Sequence, residues 1–279
     1  MEFKLQKESS YHKDGILSCC VKNNFLATAS EDDSAVIWSL PDLNPIRQSK
    51  LHDKDIKKII FSPCGKYLIT ASADGEIKSS AFSDFSVKTA IKEHSSAVNE
   101  ICFISDKNFL SVSDDSTAKL WELGNKSCLK TLKPGIGDIK ACAAGQGKVL
   151  IGGSSLVFLD SNLSTLKKHS DYLYGINKIK VNENKAFVSA SMEKTLEIWD
   201  LNSMNILKKI RNSSWINEIC FYKDKIILAM GEYLKVLNEN FETEIEIEAH
   251  SDEIYALDIY EDFLISGAND KLLKIWKIN

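Results

Sequence analysis

The five histidines of this chain, His12, His52, His94, His169 and His250, recur at nearly regular intervals. The first two intervals are 40 and 42 residues, and the last two, at 75 and 81 residues, are about twice as long. The spacing therefore predicts a period of about 40 residues and seven repeats, two of which lack the histidine. Self-similarity at such a period is typical of stacked or radial repeat architectures, because one repeat cannot bury its own apolar faces.

The repeats share an ending as well as a beginning. In the first repeat the small and acidic segment Ala29–Asp32 precedes Ile37–Trp38, with the acid six residues before the Trp. Matching segments are Ala71–Asp74, Val112–Asp115 with Leu120–Trp121, Ala190–Glu193 with Ile198–Asp200, and Ala268–Asp270 with Ile275–Trp276. The two repeats without a histidine begin near Gly135 and Ser213, and the second is supported because 213–221 nearly repeats 95–103.

This pattern resembles the WD-repeat β-propeller family over essentially the whole chain. The resemblance implies an all-β fold, a seven-bladed WD-repeat β-propeller that occupies residues 1–279 as a single domain. The repeats are expected to start near His12, His52, His94, Gly135, His169, Ser213 and His250. Short apolar runs bounded by turn residues are independent evidence for strands and hairpins.

The N-terminal segment Met1–Glu8 alternates like an edge strand. The chain ends just after the third strand expected for the last repeat, at Ile275–Asn279. The N-terminal strand is therefore expected to complete the last blade, so that the ring closes by pairing its two ends.

The family resemblance also implies a hydrogen-bonded relay of His, Ser, acid and Trp inside the blades. The predicted relay residues are His12, Ser30, Asp32 and Trp38 in repeat 1; His52, Ser72 and Asp74 in repeat 2, with Ser80 in the Trp position; His94, Ser113, Asp115 and Trp121 in repeat 3; His169, Ser191, Glu193 and Trp199 in repeat 5; and His250, Asp270 and Trp276 in repeat 7, with Ala268 in the hydroxyl position. Repeats 4 and 6 lack the relay and are expected to be less stable.

These relays use all five histidines, so none remains for a catalytic triad or a zinc site. The chain also lacks the Gly-x-Ser-x-Gly, phosphate-loop and His-Glu-x-x-His motifs. We therefore expect no catalytic residue, no metal site and no cofactor, and the protein is predicted not to be an enzyme. A propeller enzyme is the alternative from another functional class.

Charge and cysteine content constrain the partners and the compartment. The net charge is −4, from 35 basic and 39 acidic residues, which gives no overall attraction to nucleic acid or to a membrane. Local basic clusters are interpreted as solvated strand ends and loops: Lys54, Lys57 and Lys58; Lys167 and Lys168; Lys208, Lys209 and Arg211. Seven cysteines without a Cys-x-x-Cys pair or a signal peptide indicate a reducing, cytoplasmic location, with the nucleus as the alternative.

A rigid ring of strands whose loops carry no catalytic motif indicates that the protein binds other molecules. The predicted function is a non-catalytic scaffold that binds partner proteins or peptides on the top face, with no small-molecule substrate and no membrane contact. Counting three and five residues past each histidine, or its equivalent, predicts that face. The aromatic and acidic residues found there, in repeats 5 to 7, are the predicted partner-binding residues Tyr172, Tyr174, Trp215, Glu253 and Tyr255.

Two more specific roles are alternatives to a general scaffold. Repeats 5 to 7 are similar to the receptor-for-activated-C-kinase family, in 169–173 and in Gly231 followed by 234–236. That similarity implies a scaffold of the small ribosomal subunit with ribosomal RNA or protein as partner. However, Glu31–Asp33 stands where that family has an Arg-x-Lys pattern, which reverses the charge. A substrate receptor of a ubiquitin ligase is the second alternative.

Overall fold

A computed structural model of the protein describes residues 1–170, 172–190 and 193–279. Within these residues the chain forms 28 strands, arranged as seven antiparallel sheets of four strands. The first strand is β1 (Phe3–Ser9). Blade 1 contains β2 (Ile16–Lys22), β3 (Phe25–Ser30), β4 (Ser34–Ser39) and β5 (Asn44–Lys50); blade 2 contains β6 (Ile56–Phe61), β7 (Tyr67–Ser72), β8 (Ile77–Ala81) and β9 (Val87–Ile91); blade 3 contains β10 (Val98–Phe103), β11 (Asn108–Ser113), β12 (Ala118–Glu122) and β13 (Cys128–Leu132).

The remaining blades follow the same order along the chain. Blade 4 contains β14 (Ala141–Gly145), β15 (Lys148–Gly152), β16 (Leu156–Leu159) and β17 (Thr165–His169); blade 5 contains β18 (Ile176–Asn182), β19 (Lys185–Ala190), β20 (Thr195–Asp200) and β21 (Asn205–Arg211); blade 6 contains β22 (Ile216–Tyr222), β23 (Lys225–Met230), β24 (Tyr233–Leu237) and β25 (Thr243–Glu248); blade 7 contains β26 (Ile254–Tyr260), β27 (Phe263–Ala268) and β28 (Leu273–Ile278). The prediction of an all-β, seven-bladed propeller is confirmed.

The ring is closed by the N-terminal strand, as the sequence predicted. Strand β1 pairs antiparallel with β28, from Phe3 opposite Ile278 to Ser9 opposite Leu273. Two more backbone hydrogen bonds extend the ladder, from Glu2 N to Asn279 O at 3.1 Å and from Asn279 N to Glu2 O at 3.0 Å. The last blade therefore takes three strands from one end of the chain and its fourth from the other.

The hydrophobic core lies between neighbouring blades. Trp38 of blade 1 packs with Leu273 of blade 7, and Trp199 of blade 5 lies 5.5 Å from Phe158 of blade 4, measured between ring centroids. The second strand of each blade is buried on both faces, since both faces meet another blade, and it consequently reads as a continuous apolar run such as Phe25–Ser30. The outermost strands are exposed and charged, as in β21 and β25.

Within the described residues, the structure has no helix with the length and hydropathy required to span a membrane.

Candidate functional site

Blade 3 contains a continuous hydrogen-bonded relay. Trp121 Nε1–H donates to Ser111 Oγ at 2.8 Å, and His94 Nε2 lies 2.7 Å from the same oxygen. His94 Nδ1 lies 2.7 Å from Asp115 Oδ2. The indole can only donate and the carboxylate only accepts, so the serine donates to Nε2 and the imidazole carries its proton on Nδ1. The relay thus holds a neutral histidine between a hydroxyl and a carboxylate.

The pKa values agree with this assignment. Burial lowers the pKa of His94, although Asp115 opposes the effect. Burial alone would raise the pKa of Asp115, but hydrogen bonds from Thr117 and His94 outweigh it and hold the pKa at about 2. At neutral pH the imidazole is therefore uncharged and the carboxylate ionised.

The same arrangement recurs in three other blades. The residues brought together are His12, Thr28, Asp32 and Trp38 in blade 1; His52, Thr70 and Asp74 in blade 2; and His250, Ser266, Asp270 and Trp276 in blade 7. In these blades the Nε2 to hydroxyl distances are 2.7–2.8 Å, and the Nδ1 to carboxylate distances are 3.0 Å. Blade 2 has Ser80 in the Trp position, and its buried Oγ has no hydrogen-bond partner among the described residues.

The relay hydroxyl lies two residues earlier than the sequence analysis placed it. Ser30 does not contact His12; its Oγ donates to Asp14 O at 3.1 Å and accepts from Asp32 N at 3.1 Å, which fixes the turn. Ser72 and Ser113 play the same part, donating to Lys54 O and Ser96 O.

The prediction for Ser30, Ser72 and Ser113 was therefore wrong, and Ala268 removes no relay hydroxyl, because Ser266 supplies it. Trp38 pairs with Leu26 across the two strands, so its indole reaches the next side chain on that face, Thr28, and not the strand end. In blades 1, 3 and 7 the relay hydroxyl lies ten residues before the Trp, but the same spacing in blade 5 leads to Ser189, which donates to Ile216 O instead.

Blade 5 replaces the relay with a different buried group. Val188 occupies the place of Thr28, and Glu197, which is fully buried, occupies the place of Val36. Trp199 Nε1 donates to Glu197 Oε2 at 3.0 Å, and the hydroxyl of Tyr172 donates to the same oxygen. The carboxylate therefore takes over the acceptor role of the missing hydroxyl.

Two further predicted relay residues of blade 5, His169 and Glu193, lie within the described residues. The ring of His169 packs edge-on against Trp199, with centroids 5.0 Å apart. Glu193 Oε1 accepts a hydrogen bond from Leu173 N at 2.9 Å. Ser191 lies outside the described residues, as do Asp171 and Met192.

Tyr172 is buried and does not lie on the top face, so its assignment as a partner-binding residue was wrong. Ile176 pairs with Ala190 as Ile16 pairs with Ser30, yet Ile176 lies seven residues after its histidine and Ile16 only four. The loop after His169 is thus three residues longer than in blade 1, and counting from the histidine misplaced its side chains. Tyr172 turns inward to Glu197, whereas Tyr174 is 61% exposed.

We expect Ser111→Ala to lower the free energy of unfolding by about 2 to 4 kcal/mol, because it leaves both the indole N–H of Trp121 and the Nε2 of His94 buried without a partner. Ser113→Ala is the matched control and should cost less, about 1 to 2 kcal/mol, since it removes only the two turn hydrogen bonds of Ser113 Oγ. Urea unfolding of both variants measures the difference. A larger loss for Ser113→Ala would contradict the assignment of the relay hydroxyl.

A buried ion network crosses the central channel, and the sequence analysis did not identify it. Lys58 Nζ lies 3.0 Å from Glu100 Oε1, and Lys178 Nζ lies 2.8 Å from Glu100 Oε2 and 3.0 Å from Glu218 Oε2. These four residues stand on the innermost strands of blades 2, 3, 5 and 6. The interpretation of Lys58 as a solvated lysine was wrong, because ring closure places it in the channel, where it is 8% exposed.

All four groups of this channel network are ionised. Burial alone would lower the pKa of Lys58, but Glu100 and Glu218 outweigh it and raise the pKa. Burial alone would raise the pKa of Glu218, but Lys178 and the neighbouring Lys180 outweigh it and lower the pKa. The network therefore consists of two cations and two anions that compensate one another, with Lys180 as a further cation 3.3 Å from Glu218 Oε1.

Above this network lies a cavity of about 680 Å³, which we call the mouth cavity. Every blade contributes a residue from the start of its innermost strand to the lining. In six blades it is the second residue of that strand: Leu17, Lys57, Asn99, Asn177, Asn217 and Tyr255. Blade 4 contributes Lys140, the residue just before its innermost strand. Glu100 and Lys178 of the channel network also line the cavity. The mouth cavity opens on the face that carries the loops after the relay histidines, which we call the top face.

The predicted partner-binding residues fall in different places relative to the mouth cavity. Tyr174 and Tyr255 line it. Trp215 lies outside its lining and is 41% exposed. Glu253 accepts a hydrogen bond from the hydroxyl of Tyr255 and so fixes that ring. Leu173, which is 86% exposed, adds an apolar side chain that the sequence analysis did not select.

One group of possible metal ligands belongs to a relay. Among the described residues, His52, Asp74 and Glu76 bring ligand atoms within 4.8 Å of one another. His52 already contacts Asp74 and Thr70 through its two ring nitrogens, and Glu76 Oε2 lies 3.0 Å from Lys78 Nζ. These contacts account for the three side chains as part of blade 2.

Several curated proteins are similar to this chain. The Transcriptional corepressor LEUNIG_HOMOLOG of Arabidopsis thaliana is 24% identical over 276 residues, which cover 93% of this chain and 35% of that protein. Myosin heavy chain kinase C of Dictyostelium discoideum is 31% identical over 137 residues, covering 47% of this chain and 17% of that protein. Pre-mRNA-processing factor 19 of Oryza sativa subsp. japonica is 22% identical over 212 residues, covering 71% and 40%. The chain thus spans less than half the length of each of these relatives.

The family model described as WD domain, G-beta repeat matches residues 3–39, 43–79, 85–122 and 241–277, more than half of the chain. Each match runs from the outermost strand of one blade to the third strand of the next, for example from β5 to β8. The sequence repeat therefore links neighbouring blades. The unmatched residues between 122 and 241 contain blades 4 and 5 and the first three strands of blade 6, and in these blades the His–hydroxyl–Trp relay is replaced or missing. Together with the seven-bladed fold, these matches show that the chain belongs to the WD-repeat family.

Proposed function

We propose that this protein is a non-catalytic scaffold that binds a partner protein or peptide on its top face. The observation that carries the proposal is the mouth cavity, which takes a side chain from all seven blades and is closed below by the channel network. WD-repeat propellers serve generally as protein-interaction scaffolds, which supports the same class of function.

The apolar side chains beside the mouth cavity support a protein partner. Leu173, Tyr174 and Trp215 are 86%, 61% and 41% exposed, and they lie on the neighbouring blades 5 and 6. Large exposed apolar side chains at the edge of a concave site are typical of interface hot spots. Their burial by a partner would contribute about 1.5 to 3 kcal/mol for each side chain that becomes fully covered.

The state of the histidines supports binding over catalysis. In blades 1, 2, 3 and 7 both ring nitrogens form hydrogen bonds within the blade. An imidazole held in this way offers no free nitrogen to a substrate in the mouth cavity. We therefore favour recognition over acid–base chemistry on the top face.

The charge of the first repeat favours a protein over ribosomal RNA as the partner. Glu31 lines the mouth cavity, and Asp33 is paired with Lys50 at 3.0 Å. Carboxylates repel the phosphates that dominate nucleic-acid binding. All seven cysteines are free thiols, which supports a reducing compartment such as the cytoplasm for this function.

We expect Trp215→Ala to weaken the main partner by about tenfold or more, the scale of an interface hot spot. The partner is first identified by affinity purification from the native cell with mass spectrometry, and its affinity for purified variants is then measured. Leu129→Ala is the matched control, because it removes an apolar side chain of similar exposure, 50%, from the outer strand β13 of blade 3. Equal weakening by both substitutions would contradict a top-face site.

A further inference from the structure

Glu31, Leu17 and Tyr255 line the mouth cavity together. Glu31 is near enough to Tyr255 to add to the rise that burial and Glu253 cause in the pKa of Tyr255, and we call this part of the cavity its corner. Gly15 makes room for the Glu31 carboxylate, since a Cβ added at Gly15 would stand only 3.0 Å from Glu31 Oε2. The corner lies where blade 7 meets blade 1, because Tyr255 stands on β26 and Leu17 on β2.

Glu31 differs from the other charged residues that line the mouth cavity. Lys57 pairs with Asp55 at 2.9 Å, Lys140 with Asp114 and, at 3.9 Å, with Asp138, and Lys178 with Glu100 and Glu218. Among the described residues no side chain forms an ion pair or a hydrogen bond with the Glu31 carboxylate. Among the charged lining residues that the structure describes, Glu31 is therefore the one without a direct partner.

Further carboxylates stand near Glu31 and add to the negative charge of this corner. Burial raises the pKa of Glu31 first, and the carboxylates of Asp55, Asp14 and Asp252 raise it further, while Lys57 alone opposes them. Asp14 is itself paired with Lys271 at 3.4 Å, on the outer side of the corner. The corner therefore presents an excess of negative charge to anything that enters the cavity.

An aromatic ring completes the corner. The hydroxyl of Tyr255 donates to Glu253, so the ring is held at the border of the cavity and the carboxylate of Glu253 is already engaged. A cation gains both from an unpaired carboxylate and from an aromatic ring within about 6 Å of its charge. Phosphate or another carboxylate would be repelled.

We propose that this corner binds a lysine or arginine side chain of the partner, with Glu31 as its counter-charge and Tyr255 beside it. The inference rests on the proposed function and adds a specificity to it. The partner segment that enters the mouth cavity carries a basic residue at one fixed position. Next to it lie apolar residues that contact Trp215 and Leu173. Glu31 supplies this counter-charge and Glu253 does not, because Glu253 already accepts the hydrogen bond of the Tyr255 hydroxyl.

The test uses a displayed library of random 12-residue peptides, selected in parallel on four immobilised proteins: the full chain, Glu31→Gln, Glu93→Gln and Trp215→Ala. Glu93→Gln is the matched control, since Glu93 is an exposed carboxylate in the loop before blade 3 and outside the cavity lining. We expect one position enriched in Lys or Arg on the full chain and on Glu93→Gln. Glu31→Gln should reduce that enrichment at least fivefold and keep the apolar positions, and Trp215→Ala should reduce peptide recovery overall.

The outcomes separate the inference from the function on which it rests. Peptides that depend on Trp215 but show no basic position, or an unchanged basic position on Glu31→Gln, would overturn the inference and leave the scaffold function standing. No recovery above background on the full chain, or equal recovery on Trp215→Ala, would overturn both. Glu31→Gln should not lower the thermal unfolding midpoint, because the neighbours of Glu31 are carboxylates, so a loss of the basic position cannot be attributed to unfolding.

Discussion

Deletion of residues 1–9 should lower the thermal unfolding midpoint by about 10 °C or more and make the protein self-associate. The deletion removes β1 and with it the antiparallel ladder to β28. Several backbone hydrogen bonds at about 1 kcal/mol net each are lost, together with the packing of Phe3 against the blade 6 and blade 7 core. For a protein of this size each kcal/mol shifts the midpoint by about 2 to 4 °C.

Self-association is expected because the deletion uncovers β28 as an unpaired edge, which is a template for another chain. Most side chains of β1 are exposed, so its contribution comes mainly from its backbone. A control in which Lys4, Gln6 and Glu8 are all changed to Thr keeps that backbone pairing and should keep the midpoint within a few degrees. Calorimetry and light scattering measure both effects, and a synthetic peptide of residues 1–9 should partly restore the midpoint. An unchanged midpoint after deletion would show that the ring does not depend on β1.

The fold was predictable because the same residues mark the beginning and the end of most repeats. The acid lies six residues before the Trp position in every repeat that has both, and the histidine precedes them at a nearly regular interval. Strand β1 was predictable for a related reason: three strands of blade 7 at one end of the chain require a fourth from elsewhere.

Side-chain contacts that depend on the strand register were harder to predict from the sequence. The relay hydroxyl is Thr28 and not Ser30, although both lie on the same strand and have the same chemistry. Only the pairing of β3 with β4 decides which of them the Trp38 indole reaches. The longer loop after His169 likewise hid the inward turn of Tyr172, since a count from the histidine assumes loops of equal length.

The channel network could not be predicted from the sequence at all. Glu100 and Lys178 are 78 residues apart and meet only because the ring closes. In its local sequence, each of the four residues looks like an ordinary polar residue on a strand next to a loop. Nothing in the repeat pattern marks them, because the other blades carry Ser18, Ala141 and Ala256 at the same place.

Glu100→Leu should lower the free energy of unfolding by about 3 to 5 kcal/mol, because it leaves Lys58 without its nearest counter-charge and deprives Lys178 of one of two partners. Lys57→Met is the matched control: Lys57 is the neighbour of Lys58, but its pair with Asp55 is half exposed and should contribute about 1 kcal/mol or less. Urea unfolding at neutral pH compares the two.

The double variant Glu100→Leu with Lys58→Met distinguishes a charge imbalance from a packing defect. It removes one cation and one anion and leaves the Lys178–Glu218 pair at 3.0 Å intact. If the single variant is destabilised by an uncompensated buried lysine, the double variant should recover most of the loss, since a buried ion pair can be replaced by apolar side chains at little cost. A double variant as unstable as the sum of its singles would show that packing, and not charge, decides the stability of the channel.

The free energy of unfolding should also depend on pH differently in the double variant and in the native chain. The neighbouring lysines lower the pKa of Glu100 and Glu218 below the ordinary value of 4.5, so their stabilisation is present above that pH and is lost as the pH falls. The pKa of Lys58 is raised above 10.5, so its contribution is present below that pH and is lost as the pH rises. The double variant lacks one group of each kind and should lose less stability than the native chain between pH 5 and pH 3. Parallel curves for the two proteins over that range would contradict the ionised state of the network, because the stability lost on acidification would then come from carboxylates outside it, such as those of the relays.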